Sequence, residues 1–92
     1  MPEGGERFDV IASHGGFRVE HIVSSATPDG SPYDQDDDEW VVVLAGSAVL
    51  EIEGETLELT DGEWVLLPAH VTHRVVSTAA GTRWLAVHVD PR

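Results

Sequence analysis

Tyr33-Asp34-Gln35-Asp36-Asp37-Asp38-Glu39-Trp40 crowds five acids into residues 34–39 and then runs straight into Val41-Val42-Val43-Leu44. A solvated charge run has no obvious reason to end against a strand that is apolar on both faces. Alternation divides the octet. In extended chain, Gln35, Asp37, Glu39, Val41 and Val43 share one face, and Asp36, Asp38, Trp40 and Val42 the other. Glu39 stands at the head of the apolar run and is the strongest candidate to point inward. A carboxylate so placed needs a cation, a cage of hydrogen bonds or a raised pKa. Asp37 has the same parity but follows a turn-like loop, so its direction stays open. Asp34, Asp36 and Asp38 are expected in solvent.

Outward from this stretch, short apolar runs recur between turn residues at the spacing of an all-β sandwich or barrel. Phe17, Val19, His21 and Val23 alternate with Arg18 and Glu20, and residues 40–44 read as a central strand covered on both sides. Ala45-Gly46-Ser47 turns the chain, after which Ala48, Leu50 and Ile52 alternate with Glu51 and Glu53. Turns at Gly54-Glu55 and Asp61-Gly62 flank Leu57 and Leu59. The run 64–67 stops at Pro68, which has no N–H for a ladder, and residues 73–77 and 83–89 complete about seven strands. No window of a dozen residues carries a helical period, so little or no helix is expected. The reading is one all-β domain over residues 1–92, a jelly-roll barrel that leaves few open edges. Residues 1–15 are expected to be partly irregular and 24–38 to form a long loop.

Composition narrows the function. Seventeen acids face five arginines and no lysine, a balance that repels phosphate backbones and anionic lipid and argues against nucleic acid or a membrane surface as partner. The chain has no cysteine, which rules out a thiolate metal site and suits a cytoplasmic protein. No basic segment followed by an apolar core opens the sequence, so no signal peptide is expected.

A second stretch carries chemistry. Pro68-Ala69-His70-Val71-Thr72-His73 places two imidazoles three residues apart across a turn. That spacing does not share a strand face, but in a turn both rings can converge. With a carboxylate they suit zinc, iron, manganese or nickel better than calcium or magnesium.

Together the two stretches resemble the two motifs of the small single-domain cupins. Glu39 is followed after six residues by Gly46, as in the first motif, and Gly62, Pro68 and His73 fall at their places in the second. His70 stands where glycine is usual and Ser77 where asparagine is usual. The two histidines of the first motif are absent; Tyr33 and Gln35 occupy those positions. The pattern is similar to a subgroup of small bacterial cupins in which the second histidine of PAHxxH is expected to replace a missing ligand of the first motif.

The resemblance implies a jelly-roll barrel with one divalent ion at its mouth, held by Gln35, Glu39, His70 and His73 with water completing the shell. The alternative is a former metal site that keeps a hydrogen-bonded Gln–Glu–His network. His88 and Tyr33 are candidates for catalysis, His88 otherwise a buried structural histidine. His21 invites the same two readings, and His14 is expected at the surface. Trp40, Trp64 and Trp84 read as barrel or dimer core, and neither Ser47 nor Ser77 has a base at nucleophile spacing. Cupin activities run from dioxygenases to isomerases, epimerases and cyclases, so the fold does not choose the reaction. A small-molecule substrate or ligand and a homodimer are expected; a sensor or storage module and a structural dimer are the other readings.

Overall fold

The computed structural model describes residues 6–25 and 34–90, and Tyr33 lies outside them. Eight strands follow one another: β1 (Glu6–His14), β2 (Phe17–Ser24), β3 (Asp38–Ala45), β4 (Ser47–Ile52), β5 (Glu55–Thr60), β6 (Trp64–Leu67), β7 (His73–Thr78) and β8 (Thr82–Val89). No helix occurs among the described residues, as the missing 3.6-residue period predicts. The sequence reading undercounts by one strand. Residues 6–14, expected to be partly irregular, pair in antiparallel register with β2 across a bulge between Val10 and Ala12.

The strands form two antiparallel sheets, one in the order β1-β2-β8-β3-β6 and one in the order β5-β4-β7. Their facing sides interdigitate as a jelly roll. Ile22, Val41, Val43, Trp84 and Ala86 come from the larger sheet and Ala48, Leu50 and Leu59 from the smaller. Burying these side chains is the main favourable term in a domain this small. The indole N–H of Trp84 donates to Ser24 Oγ at 2.9 Å, so the largest core side chain carries no orphaned donor.

Parity along β3 is as the sequence predicts: Glu39, Val41 and Val43 are buried, while Trp40 and Val42 lie on the outer face. Parity along β2 is not. The inward residues are Glu20, Ile22 and Ser24, and Val19, His21 and Val23 lie on the opposite face. Both sides of this strand carry apolar residues, so alternation alone does not say which side is inside.

The turn at Gly46 closes the barrel. Its φ of +114° is open only to glycine, and a Cβ there would stand 2.9 Å from the Cα of Thr82. Thr82 is itself buried and receives a hydrogen bond from the Ser47 amide at 3.2 Å.

Candidate functional site

Each inward strand face changes from apolar to polar toward the same end of the barrel. β3 runs from Val43 and Val41 to Glu39, β8 from Trp84 and Ala86 to His88, and β2 from Ile22 to Glu20. Register brings these polar ends together, because Glu39 pairs directly with His88 and Glu20 pairs with Ala86, one inward step away. His73 arrives from the facing sheet, as the first residue of β7. The carboxyl group of Glu39 sits between the two imidazoles. His73 Nε2 is 3.7 Å from Oε1, and His88 Nε2 is 3.8 Å from Oε2.

The far side of each ring is anchored. His73 Nδ1 lies 3.1 Å from the Val71 carbonyl, which only accepts, so Nδ1 carries the proton and Nε2 faces Glu39. His88 Nδ1 lies 3.3 Å from Asp37 Oδ2, and Nε2 lies 2.8 Å from Glu20 Oε1. That short contact requires a proton between the ring and Glu20. Gln35 presents its amide nitrogen to the cluster and donates to Asp37 Oδ1 at 2.9 Å.

Burial pushes the Glu39 carboxyl above its ordinary range, against the pull of His88, His73 and a hydrogen bond from Gln35. Burial also acts upward on Asp37. There the Gln35 hydrogen bond, His88 and Arg18 together outweigh it, so this carboxyl is held below its ordinary range.

These groups open into a cavity of about 510 Å³. Ile22, Val41, Leu50, Leu67, Val75 and Trp84 form its apolar floor. A concave, largely apolar chamber with a few convergent polar groups is the usual form of a small-molecule site.

His70 is the expected ligand that the structure does not bring in. It adopts a left-handed backbone with φ of 63° and leaves its ring exposed. Its Nδ1 lies 2.9 Å from Asp34 Oδ1 and its Nε2 is 3.6 Å from Asp36 Oδ1. The hydrogen bond that the ring donates to Asp34, with the Asp36 charge beside it, raises the pKa of this imidazole. The backbone joins in: His70 N donates to Gln35 O at 2.8 Å, and Ala69 N to Asp38 Oδ1 at 2.8 Å. The outward ring thus clasps the acidic loop rather than filling the barrel. Gln35 is in the cluster and turns its amide nitrogen, not its oxygen, toward Asp37 and His88.

Asp37, left open by the sequence, lines the cavity, and Asp34, Asp36 and Asp38 are exposed as expected. His88 is buried at the centre of the network. His21 is half-buried on the outer face and accepts from Arg83 Nε at 3.2 Å. His14 is exposed at the end of β1. Sequence reasoning missed Glu20. One signal pointed to it: Ile22 shares its parity, an apolar residue on a face read as polar.

The family profile described as the cupin domain matches residues 19–88 of the chain. The chain belongs to the cupin family. Several solved structures resemble this cupin over most of their length. One, from Ralstonia eutropha JMP134 and provisionally described as a mannose-6-phosphate isomerase, is 42% identical, with 94% of this chain and 85% of that one covered and a TM-score of 0.84. KdgF from a Halomonas species is 20% identical, with 96% and 81% covered and a TM-score of 0.87. An RmlC-like cupin from Shewanella frigidimarina is 18% identical, with 97% and 79% covered and a TM-score of 0.85. The last two likenesses speak to the fold alone. No curated protein matches the chain in sequence.

Cupins commonly hold a divalent metal, so the donor set must be weighed against one. Two imidazoles and a carboxylate on a partly open chamber suit a transition ion in kind. Among the described residues, no three such side chains stand ready-made around a single point. His88 Nε2 lies 2.8 Å from Glu20 Oε1. His73, His88 and Glu39 would be the residues to hold an ion here, which would supply Lewis-acid chemistry, and His88 Nε2 would have to give up its contact with Glu20 to serve as a ligand.

Proposed function

We propose that this cupin holds a divalent transition metal through His73, His88 and Glu39 and acts on a small molecule bound in the cavity. One observation carries the reading. His73 is held through Nδ1 on Val71 O at 3.1 Å and His88 through Nδ1 beside Asp37 Oδ2 at 3.3 Å and Gln35 Nε2 at 3.5 Å, and the two Nε2 atoms lie 3.7 and 3.8 Å from the Glu39 carboxyl group. A hydrogen bond at the far nitrogen of each ring sets the orientation that metal-binding histidines need. His88 thus takes the place in the ligand set that the sequence reading gave to His70.

A bound ion would supply Lewis-acid polarisation of a ligand oxygen. The chain's own residues do the remaining work. The apolar floor binds the carbon skeleton and excludes water from it. Glu20 stands beside His88 and can accept or return a proton at its Oε1, the role of a general base at a cavity wall. Gln35 and Asp37 hold His88 in place. An isomerase-type proton transfer on a hydroxyl- or carbonyl-bearing compound fits these groups, in line with the provisional description of the Ralstonia relative.

Equilibrium dialysis against zinc, iron, manganese and nickel, followed by elemental analysis, tests the metal. About one ion per chain is expected near neutral pH, with affinity falling by more than about 100-fold in His73→Ala and in His88→Ala. His70→Ala should retain the ion. No bound metal in the unaltered protein would leave a hydrogen-bonded binding module instead, and loss in His70→Ala would restore the ligand set read from the sequence.

A further inference from the structure

The cavity's apolar floor and its charged rim make opposite demands on a ligand. Carboxylates of Glu20, Asp36, Asp37, Glu39 and Asp90 border the chamber, and Arg18 is the single lysine or arginine among the described residues that line it. Arg18 lies beside one of these acids, its Nη2 3.6 Å from Glu20 Oε1. Phosphate-binding sites rely on free cations, helix N-termini or nests of backbone N–H groups. The described residues contain no helix, and the one arginine lining the chamber stands beside a carboxylate. A divalent ion would offset the inner acids Glu39 and Glu20. It would leave Asp36 and Asp90, both exposed, at the edge of the chamber, Asp36 with the outward His70 ring 3.6 Å from its Oδ1.

We infer that the cavity takes an uncharged or cationic small molecule with an apolar body and rejects a phosphorylated one, with Asp36 and Asp90 as specificity-determining residues. The inference rests on the reading of the cavity as the ligand site and names the class of molecule it admits. It sets this chain apart from the substrate that the provisional description of the Ralstonia relative suggests, since a sugar phosphate would bring a dianion to a carboxylate-lined mouth. The negative field of the whole chain, 17 acids against 5 arginines, acts in the same direction on approach.

A matched series isolates the head group. Hexylamine, 1-hexanol and hexyl phosphate share one apolar chain and differ only in charge. Each is titrated by NMR into chelator-treated protein, with the Trp84 indole N–H as reporter because this ring lines the floor. Hexylamine is expected to bind at least about tenfold more tightly than hexyl phosphate, with 1-hexanol between them, and added salt should narrow the gap. The Asp36→Asn/Asp90→Asn variant, altered only at exposed rim positions, should narrow it too. Hexyl phosphate binding as well as 1-hexanol overturns the inference, as does a gap unchanged in the double variant or no response of Trp84 to any of the three. A parallel zinc titration separates the two proposals. If zinc fails to bind, the metal reading falls while the head-group order still decides this one.

Discussion

Oε1 of Glu39 lies 3.7 Å from Nε2 of His73, although the two residues belong to different sheets. Their approach joins the head of β3 to the head of β7 across the barrel mouth. His73 is held through Nδ1 on the Val71 carbonyl, which turns its Nε2 toward the Glu39 carboxyl group. Such a pair is stable with a cation or a proton between its members, and the predictions below follow from that relationship and its surroundings.

Glu39→Gln should stabilise the metal-free protein and abolish its metal binding. Burial raises the Glu39 pKa, so ionised Glu39 is less favourable in the folded chain than in the unfolded one. The unaltered protein therefore holds its full stability below the unfolded pKa and loses part of it as pH rises through the folded pKa. Thermal unfolding in chelator across pH 4 to 8 should show the melting temperature of Glu39→Gln drawing above that of the unaltered protein as pH rises, about 4–8 °C per kcal/mol gained. A gap that shrinks with rising pH would contradict the assignment.

Asp37→Asn should weaken metal binding without removing a ligand. The amide loses the charge that holds His88 Nδ1 at 3.3 Å, so the ring is less firmly aimed. A loss of about 10–100-fold in zinc affinity is expected by competition with a chromophoric chelator. Unchanged affinity would show that His88 does not contribute.

The clasp between the acidic loop and the turn after Pro68 should weaken with alkali. A histidine whose folded pKa is raised stabilises fully below its unfolded value and loses that contribution as pH rises through the folded value. The His70 ring resonances should therefore titrate above the ordinary midpoint of about 6.5. Asp34→Asn should bring the midpoint back down. An unaltered midpoint in that variant would mean that the 2.9 Å contact is not formed in solution.

Gly46→Ala should destabilise the domain by about 2–4 kcal/mol, from a strained backbone and an overpacked neighbour. The φ of +114° and the 2.9 Å approach to the Thr82 Cα leave no relaxed position for a methyl group. Calorimetry should record a fall in Tm of more than about 8 °C.

The outer face of the larger sheet is expected to pair two copies of the chain. Trp64 and Leu66 are 59% and 54% exposed there, and the Trp64 ring centroid lies 6.1 Å from that of Trp40. Sedimentation at tens of micromolar should show a dimer, and Trp64→Ser should shift it toward monomer while leaving metal binding intact. A monomer in the unaltered protein would end this expectation.

Much of this arrangement was legible beforehand. The all-β class follows from apolar runs punctuated by turns, and the inward direction of Glu39 follows from its parity with Val41 and Val43. The resemblance of Gly62, Pro68 and His73 to the second cupin motif implies a place at the site for His73. Glu20 was not legible, because a strand with apolar residues on both sides does not reveal which side is inside. His70 was misplaced for a different reason. Three-residue spacing across a turn permits convergence, but the left-handed backbone at His70 and the acids Asp34 and Asp36 draw the ring outward.

The sequence by itself determined the alternation of each strand, the positions of the turns and the acidic balance of the surface. All three are local properties, set by side-chain period, glycine and proline geometry and composition. Tertiary structure alone decided which strands lie side by side. Only when β8 is inserted between β2 and β3 do His88, Glu20 and Glu39 meet. The partners of a buried charge are chosen by inter-strand register, and register depends on the packing of the whole barrel rather than on any one segment.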